Sequence, residues 1–479
     1  MQLENTEDFY PLSPLQEGLL FHALYSPDAG EYVSQVICTI RGDFGVTRFK
    51  EAVHRVVQRH AALRTFFLWE GLKQPVQVVQ KHLDLTWDEL DWRGLSREVH
   101  IEQSAAYLRE HTRSFDLSRA PLMRLALIRM SDDEYQFVWT HHHLLLDGWS
   151  GSLVSRDIIS FYQALSRGDD LRLPKPRPYR DYIAWLQQQD LASAEKYWRE
   201  ALKGFTTPTP LISNNVPAPT PQKPAYDGRH FSLSTDDTAR LRDEARKHRL
   251  TLNTLVQGAW ALVLSCYSGQ QDVVFGATVS GRPPELEGVE EMVGVFINTL
   301  PVRVRVAPEM PVADWLGRLQ KEQLETRQYE YSPLRRVQGW SEVKRGSSLF
   351  QSIVVFENFP ATSSSLPANQ GGSGGGEIRY LIIAKESYPL MLAADPASEL
   401  LLEIKYDTSL FEAATIRHMS THLETLLKAL SQSNVWQQTL SEVLERTHAE
   451  QQVNEARKVK QVRSQMLKDV KRKVVTGGA

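Results

Sequence analysis

Cysteine is almost absent from this chain, since Cys38 and Cys266 are the only two among 479 residues. Two thiols cannot build a disulfide scaffold or a cysteine-rich metal centre. Both lie in apolar runs, the first with the alternation of a strand and the second with helical spacing. We therefore predict two buried thiols and no metal site.

A charge excess and a long apolar run are also missing. The 55 basic and 58 acidic residues leave a formal net charge of -3, so no global field attracts nucleic acid or an anionic membrane. No stretch approaches the ~18 consecutive apolar residues of a membrane span, and the acidic residues 1–8 do not resemble a signal peptide. We expect a soluble cytoplasmic protein with no nucleic-acid or membrane partner.

The composition is that of a globular protein, with 42% hydrophobic and 24% charged residues. The length exceeds the ~250–300 residues at which a single core stops growing, so we expect two lobes. The proline-rich stretch 173–178 predicts the first boundary. We predict an N-terminal lobe at 1–175, a C-terminal lobe at 176–440 and a helical, basic tail or linker at 441–479. The glycine-rich segment 371–376 is predicted to be a loop tip or an engineered linker without chemistry.

The apolar pattern predicts a mixed α and β content in both lobes. Alternation predicts strands at 32–40, 135–140, 229–233, 273–279, 300–306, 349–356 and 400–406. Helical spacing predicts helices at 46–60, 100–112, 236–248, 253–267, 312–328 and 413–429. The segment Gly281–Pro284 is interpreted only as a turn after a strand.

The strongest candidate for chemistry is the segment Trp139-Thr-His-His-His-Leu-Leu-Leu-Asp-Gly-Trp-Ser150. A metal site would use at most His141 and His143, because adjacent strand residues point to opposite faces. In a structural interpretation, the histidines are core residues with satisfied hydrogen bonds, and Asp147 caps a turn. A third makes His143 an acid or base with Asp147 as its organiser. The pattern alone leaves all three open.

The motif His142-His143-Leu-Leu-Leu-Asp147-Gly148 resembles the HHxxxDG signature of condensation domains from nonribosomal peptide synthetases. Other segments resemble that family's motifs in the expected order, and they are Ser13–His22, Arg59–Phe66, Tyr179–Trp185, Val293–Leu300 and Leu349–Asn358. The resemblance extends over roughly residues 8 to 430. Six ordered segments make it far more specific than the HHxxxDG motif alone.

The resemblance implies a mixed α/β (α+β) fold of two lobes, each similar to chloramphenicol acetyltransferase. The lobes would form a V-shaped pseudo-dimer with a central tunnel. Donor and acceptor peptidyl carrier proteins would deliver their thioesters on phosphopantetheine, and the domain itself would bind no cofactor. Neighbouring synthetase domains are possible partners of the C-terminal tail. The implied reaction is formation of an amide bond between the two carrier-bound substrates.

The resemblance also implies the two residues that act on the substrates. His143 matches the second histidine of the motif, and it would act as a base or orient the acceptor amine. The N–H of Gly148 would stabilise the tetrahedral oxyanion, since a glycine lets the substrate approach the backbone closely.

Supporting roles follow from the same resemblance. Asp147 would pair with Arg64 and hold the loop in shape, because an unpaired buried carboxylate is costly. His142 would pack and hydrogen-bond beside the loop, and His141 is interpreted as non-catalytic. Three further residues are predicted to line the tunnel, namely Trp149, Ser150 and Asn298.

Two functions of other kinds remain open at this point. A condensation-like interface module would recruit a tailoring enzyme without catalysis, and a free-standing acyltransferase would use a diffusible acceptor. The paired histidines disfavour heterocyclising relatives, and the sequence after Gly148 disfavours epimerases. The opening motif and Val355–Pro360 resemble the subtype that takes a D-configured donor and an L-configured acceptor.

Overall fold

The computed structural model describes residues 3–25, 32–211, 226–358, 379–384 and 388–449. The elements of the N-terminal lobe are β1 (Thr6–Pro11), α1 (Pro14–Tyr25), β2 (Val33–Arg41), α2 (Val46–Arg59), β3 (Thr65–Leu68), β4 (Val76–Gln80), β5 (Trp87–Asp91), α3 (Arg97–His111), β6 (Met123–Arg129), β7 (Glu134–His142) and α4 (Gly148–Arg167).

The connector and the C-terminal lobe follow in the chain. Their elements are α5 (Tyr179–Gln187), α6 (Leu191–Ala201), β8 (Tyr226–Leu233), α7 (Thr235–Lys247), α8 (Leu252–Ser268), β9 (Asp272–Val279), β10 (Asn298–Arg305), α9 (Val312–Arg327), α10 (Leu334–Trp340), β11 (Ser352–Phe356), β12 (Arg379–Ala384), β13 (Leu390–Pro396), β14 (Leu400–Asp407) and α11 (Ala413–Leu430).

The main sheet of the N-terminal lobe has the strand order β12-β2-β7-β6-β5. Its central strands β2 and β7 are antiparallel, with Val33 opposite His142. Alternate residues of β7, such as Phe137 and Trp139, are buried in the core with residues of α2 and α4. A smaller sheet with the order β1-β4-β3 completes this lobe. The candidate loop therefore starts at the end of a strand that is hydrogen-bonded on both sides.

The sheet of the C-terminal lobe has the order β10-β9-β11-β13-β14-β8. Helix α8 is apolar on nearly all sides, and its residues from Thr254 to Leu264 are all buried. A helix of this kind has to lie inside the core, and α8 packs there with α11. The helical segment 440–449 packs on the same core through Leu440 and Val443. The lobe thus extends past residue 440, the boundary that the sequence predicted.

Strand β12 connects the two lobes. It follows β11 of the C-terminal lobe in the chain but pairs with β2, with Arg379 opposite Thr39. A strand from the second half of the chain therefore forms the edge of the first lobe's sheet. The division into 1–175 and 176–440 could not include this exchange, because it depends on a long-range pairing.

The predicted mixed α/β fold is confirmed, and most of the predicted elements are present. The strand predicted at 135–140 is β7, and the helix predicted at 253–267 is α8. The prediction of two buried thiols is wrong for one of them, since Cys38 is buried and Cys266 is exposed. Cys266 lies in the last turn of α8, beyond the buried part of the helix.

Within the described ranges, no single helix combines the length and the mean hydropathy needed to cross a bilayer. Helices α7 and α8 satisfy that test only as a pair, bent by 103° relative to each other. The glycine-rich segment 371–376 and residues 450–479 of the predicted tail lie outside the described residues.

Candidate active site

The HHxxxDG loop lies between the end of β7 at His142 and the start of α4 at Gly148. Neighbouring chain segments continue the pairing past the end of the strand. The N–H of His142 donates to the carbonyl of Leu122 at 3.0 Å, and the N–H of His143 donates to the carbonyl of Tyr32 at 2.8 Å. The main chain of both histidines is therefore fixed by backbone hydrogen bonds.

The three consecutive histidines have different environments. His141 and His142 are 5% and 2% exposed, whereas His143 remains partly accessible. Burial, together with the neighbouring histidines, lowers the pKa of His141 to about 3, and burial together with His143 does the same for His142. Both buried imidazoles are therefore neutral at pH 7, which leaves His143 as the histidine of the loop that a substrate can reach.

His142 stabilises the loop from inside. Its Nδ1 accepts a hydrogen bond from the N–H of Leu144 at 3.1 Å, which tightens the turn that follows β7. His141 packs on the other face of the strand, with its ring 4.6 Å from the ring of Trp139. The supporting role of His142 and the non-catalytic role of His141 stay predictions.

The Asp147 carboxylate is the polar centre of the site and is 1% exposed. Its Oδ1 accepts from the N–H of Ser150 at 2.8 Å, which caps the N-terminus of α4. Its Oδ2 accepts from the N–H groups of Phe296 at 2.9 Å and Ile297 at 3.3 Å in the C-terminal lobe. One carboxylate thus shapes the loop and joins it to the other lobe. Among the described residues no hydrogen bond links Asp147 to the imidazole of His143, so Asp147 does not orient that ring directly.

Arg282 is the cation that faces Asp147. A guanidinium nitrogen lies 3.6 Å from Oδ1, and the Arg282 side chain is 4% exposed. The guanidinium also donates to the hydroxyl of Ser150 at 2.9 Å and lies 3.9 Å from the centre of the Phe296 ring. A buried carboxylate requires such a partner, because charge taken out of water is costly unless it is paired.

The predicted pair of Arg64 with Asp147 is wrong. Arg64 instead forms an ion pair with Glu7 at 2.6 Å and donates to the carbonyls of Val57 and Gln80. It lies at the end of a short 3₁₀ turn between α2 and β3, where its guanidinium joins that turn to β4 and to the start of the chain. Its role is therefore within the N-terminal lobe.

Two of the three predicted tunnel residues form hydrogen bonds inside the protein. Ser150 is fully buried, and its hydroxyl donates to the carbonyl of Gly294 and accepts from the N–H of the same residue. Asn298 donates through its amide to the carbonyls of Glu330 and Ser332, both at 2.8 Å. The tunnel prediction is wrong for Ser150, because this residue has no exposed surface and its hydroxyl is used inside the protein. For Asn298 it stays a prediction, as it does for Trp149, which is partly exposed.

Sequence reasoning missed two further residues that hold the loop. The amide of Gln16 donates to the carbonyl of Leu144 at 2.9 Å, so the opening motif supports the HHxxxDG loop directly. Gly294 lies so close to the ring of Tyr179 that any Cβ at this position would overlap it. The motifs containing these residues were recognised by resemblance, but only the structure shows what they contact.

The first turn of α4 leaves a backbone donor at the end of the HHxxxDG loop. The N–H of Gly148 has no acceptor among the described residues, as expected for the first residue of a helix. The helix dipole adds partial positive charge at this end. The histidines of the loop do not belong to any group of three potential metal ligands within the described ranges.

Known proteins similar to this chain are synthetases. The family model of the condensation domain matches residues 6–453. One subunit of the linear gramicidin synthase of Brevibacillus parabrevis is 46% identical over 425 residues, which is 88% of this chain and 8% of that protein. Another subunit of the same synthase is 43% identical over 426 residues, 89% of this chain and 5% of that protein. The chain therefore spans less than a tenth of the length of these relatives.

Solved structures share the fold at lower identity. The starter condensation domain of the rhizomide synthetase RzmA superposes with a TM-score of 0.74 at 18% identity, covering 91% of this chain and 98% of that one. The first condensation domain of the calcium-dependent antibiotic synthetase has a TM-score of 0.74 at 16% identity, with coverages of 91% and 99%.

We predict that Asp147→Ala and Arg282→Ala each destabilise the protein by about 3–5 kcal/mol, because each leaves a buried charge without its partner. In a double-mutant cycle by denaturant unfolding, the two changes should couple by about 0.5–3 kcal/mol. The losses of unfolding free energy caused by Arg64→Ala and by Asp147→Ala should be additive, without coupling.

The matched control is Asp169→Ala, which removes an ion pair with Arg167 of 2.9 Å whose two side chains are 60% exposed. We expect a loss below about 1 kcal/mol there. Coupling of Asp147 to Arg64 rather than to Arg282 would contradict the assignment.

We also predict an acid-sensitive stability that depends on His141 and His142. Their pKa is about 3 when folded and about 6.5 when unfolded, so the unfolded chain binds more protons between these values. The contribution of the two neutral histidines to the stability of the fold is complete above pH 6.5 and is lost as the pH falls toward 3. For each histidine, lowering the pH from 7 to 5 should reduce the free energy of unfolding by about 2 kcal/mol.

The measurement is denaturant unfolding at pH 7 and pH 5 with the double variant His141→Phe, His142→Asn. Phenylalanine can stack on Trp139, and the asparagine oxygen can accept from Leu144, but neither side chain titrates. His54→Asn on the exposed face of α2 is the control. An unchanged pH dependence in the double variant would be inconsistent with this explanation.

Proposed function

This chain belongs to the condensation-domain family, and we propose that it joins two carrier-bound substrates through an amide bond. The donor is an aminoacyl or peptidyl thioester, and the acceptor is the α-amine of a second aminoacyl thioester. We also propose that this domain acts within a larger synthetase, because the chain spans only a small part of the length of its relatives. The cytoplasmic location stays a prediction.

The observation that carries the proposal is the unequal use of polar groups in the HHxxxDG loop. Asp147 is committed to hydrogen bonds with both lobes, and His142 to the turn. The imidazole of His143 and the N–H of Gly148 are the groups left to act on a substrate. A rigid loop that presents one accessible imidazole and one backbone donor suits acyl transfer.

The chemistry of His143 follows from its position. The acceptor amine attacks the donor thioester carbonyl, forming a C–N bond while the amine loses a proton. His143 accepts that proton through its accessible ring edge, since its Nδ1 is covered. Collapse of the tetrahedral intermediate breaks the C–S bond, and the proton can then pass to the departing phosphopantetheine thiolate. Holding the amine in line with the carbonyl increases the rate further, beyond the effect of proton transfer.

The oxyanion formed during attack needs a donor that is already in place. The N–H of Gly148 lies at the positive end of α4, in a helix whose capping by Asp147 is fixed. A side chain at this position would restrict how closely the thioester can approach. The domain supplies no cofactor in this scheme, because phosphopantetheine arrives as part of each substrate.

Carrier proteins and neighbouring synthetase domains are the proposed partners. The multidomain nature of the relatives supports this proposal, since the matching segment is a small part of each. The V-shaped arrangement and the tunnel through which both carriers would deliver their substrates stay predictions. Residues 450–479, which were predicted to dock a neighbouring domain, lie outside the described residues.

We predict that His143→Ala slows amide formation by ~10²–10⁴-fold if His143 is the general base. Stability should change little, because no hydrogen bond of its side chain holds the loop among the described residues. The assay is product formation from donor- and acceptor-loaded carrier proteins, with loading verified by mass spectrometry. His54→Ala is the control. A wild-type rate in His143→Ala would exclude the proposed role.

We further propose that the donor has a D-configured terminal residue and the acceptor an L-configured one. Inverting the donor Cα exchanges its side chain and nitrogen, which displaces the carbonyl from Gly148 and from the amine near His143. A displacement of about 1 Å can cost ~100-fold in rate. Two epimeric donors competing for one acceptor should therefore give mainly the D-derived product by chiral analysis.

A preference for the L-donor would reject the subtype and leave amide formation intact. The absence of amide from either donor, with loaded carriers and folded protein, would favour a non-catalytic interface module. Amide formation with a diffusible amine but not with a loaded acceptor carrier would favour a free-standing acyltransferase.

A further inference from the structure

Three potential metal ligands meet on the C-terminal lobe. Cys266 lies in the last turn of α8, His422 lies in α11, and His448 lies in the helical segment 440–449. One ligand atom of each is within 4.8 Å of the ligand atoms of the other two. None of these elements contributes to the HHxxxDG loop, so the cluster is separate from the candidate active site.

His422 is the residue whose environment requires an explanation. Its side chain is 1% exposed, and its Nε2 has no hydrogen-bond partner among the described residues. Buried polar atoms are nearly always satisfied. A hydrogen bond between Cys266 and His448 would satisfy those two side chains and still leave His422 without a partner. A bound cation would satisfy all three.

The separation of Cys266 and His448 fits a tetrahedral ion. With a Zn–S bond of ~2.3 Å and a Zn–N bond of ~2.0–2.1 Å, tetrahedral geometry places sulfur and nitrogen ~3.6 Å apart. Sγ of Cys266 and Nε2 of His448 are 3.6 Å apart. The rings of His422 and His448 are inclined by 68°, with their centres 4.9 Å apart. A nitrogen of each lies within 4.8 Å of the other and of the Cys266 sulfur.

The segment 440–449, which carries the third ligand His448, is well anchored. The N–H of Thr439 donates to the carboxylate of Glu442, and the N–H of Glu442 donates to the Thr439 hydroxyl, which forms a capping box. Val443 and Thr447 of the same segment are 1% and 0% exposed. His448 is therefore presented by a capped and docked helix.

We propose that Cys266, His422 and His448 bind one zinc ion, with solvent as the fourth ligand. Mixed thiolate and imidazole ligands favour zinc over calcium or magnesium, which prefer oxygen. The ion clips the segment 440–449 to helices α8 and α11. The role is structural, because the bound ion stabilises only the folded arrangement of the three elements.

The test uses the full chain after removal of metal with a chelator. Cobalt(II) replaces zinc as a spectroscopic probe, and a thiolate–cobalt charge-transfer band should appear and saturate at one ion per chain. Zinc should displace the cobalt. Competition with a chromophoric chelator should show zinc affinity reduced at least ~100-fold in Cys266→Ala and in His448→Ala, since loss of a second-shell group alone costs 10–100-fold.

Cys38→Ala is the matched control, because Cys38 is a buried thiol in the other lobe and should leave the band and the affinity unchanged. Zinc should raise the melting temperature of the wild type and of Cys38→Ala, but not of Cys266→Ala. Both variant sites are accessible to solvent, so folding should survive. Zinc affinity that is the same in wild type, Cys266→Ala and His448→Ala would overturn the proposal, whatever the amide-forming activity.

Discussion

The buried carboxylate of Asp147 is the constraint on which the site depends. Its two oxygens accept hydrogen bonds from the first turn of α4 and from the 296–297 backbone, and its charge is opposed by Arg282. A carboxylate out of water is stable only when these partners are present together. The shape of the loop therefore depends on the contact between the two lobes.

The end of strand β7 gives the three histidines different environments. A strand that is paired on both sides fixes the backbone of His142 and His143 and forces adjacent side chains to opposite faces. Two imidazoles are then buried and neutral, because desolvation disfavours their charged form. His143 follows the last residue of the strand, so it alone is placed at the accessible turn. Position relative to the strand end, rather than residue type, distinguishes the accessible histidine from its buried neighbours.

Local properties of the chain could be predicted because they are local in cause. Alternation identified β7, and an apolar run without a polar face identified α8. The motif order identified the HHxxxDG loop, but not the partner of Asp147. Arg282 lay in a segment interpreted as a turn, and the matching motif made Arg64 the preferred candidate instead. Ion-pair partners and the β12–β2 exchange depend on long-range packing, which no periodicity in the sequence reports.

Most contacts between the loop and the C-terminal lobe are made to main-chain groups. Asp147 accepts from backbone N–H groups, and Ser150 exchanges hydrogen bonds with the backbone of Gly294. Contacts to main-chain groups place little restriction on which side chain each residue of the C-terminal lobe carries. Gly294 is an exception, because a close approach there requires glycine. Val293 from the same segment is buried in the core of the N-terminal lobe. Separating the lobes here would expose an apolar contact and leave a buried carboxylate without its donors, at a cost of several kcal/mol. The junction thus joins the two lobes through buried polar and apolar contacts at the HHxxxDG loop itself.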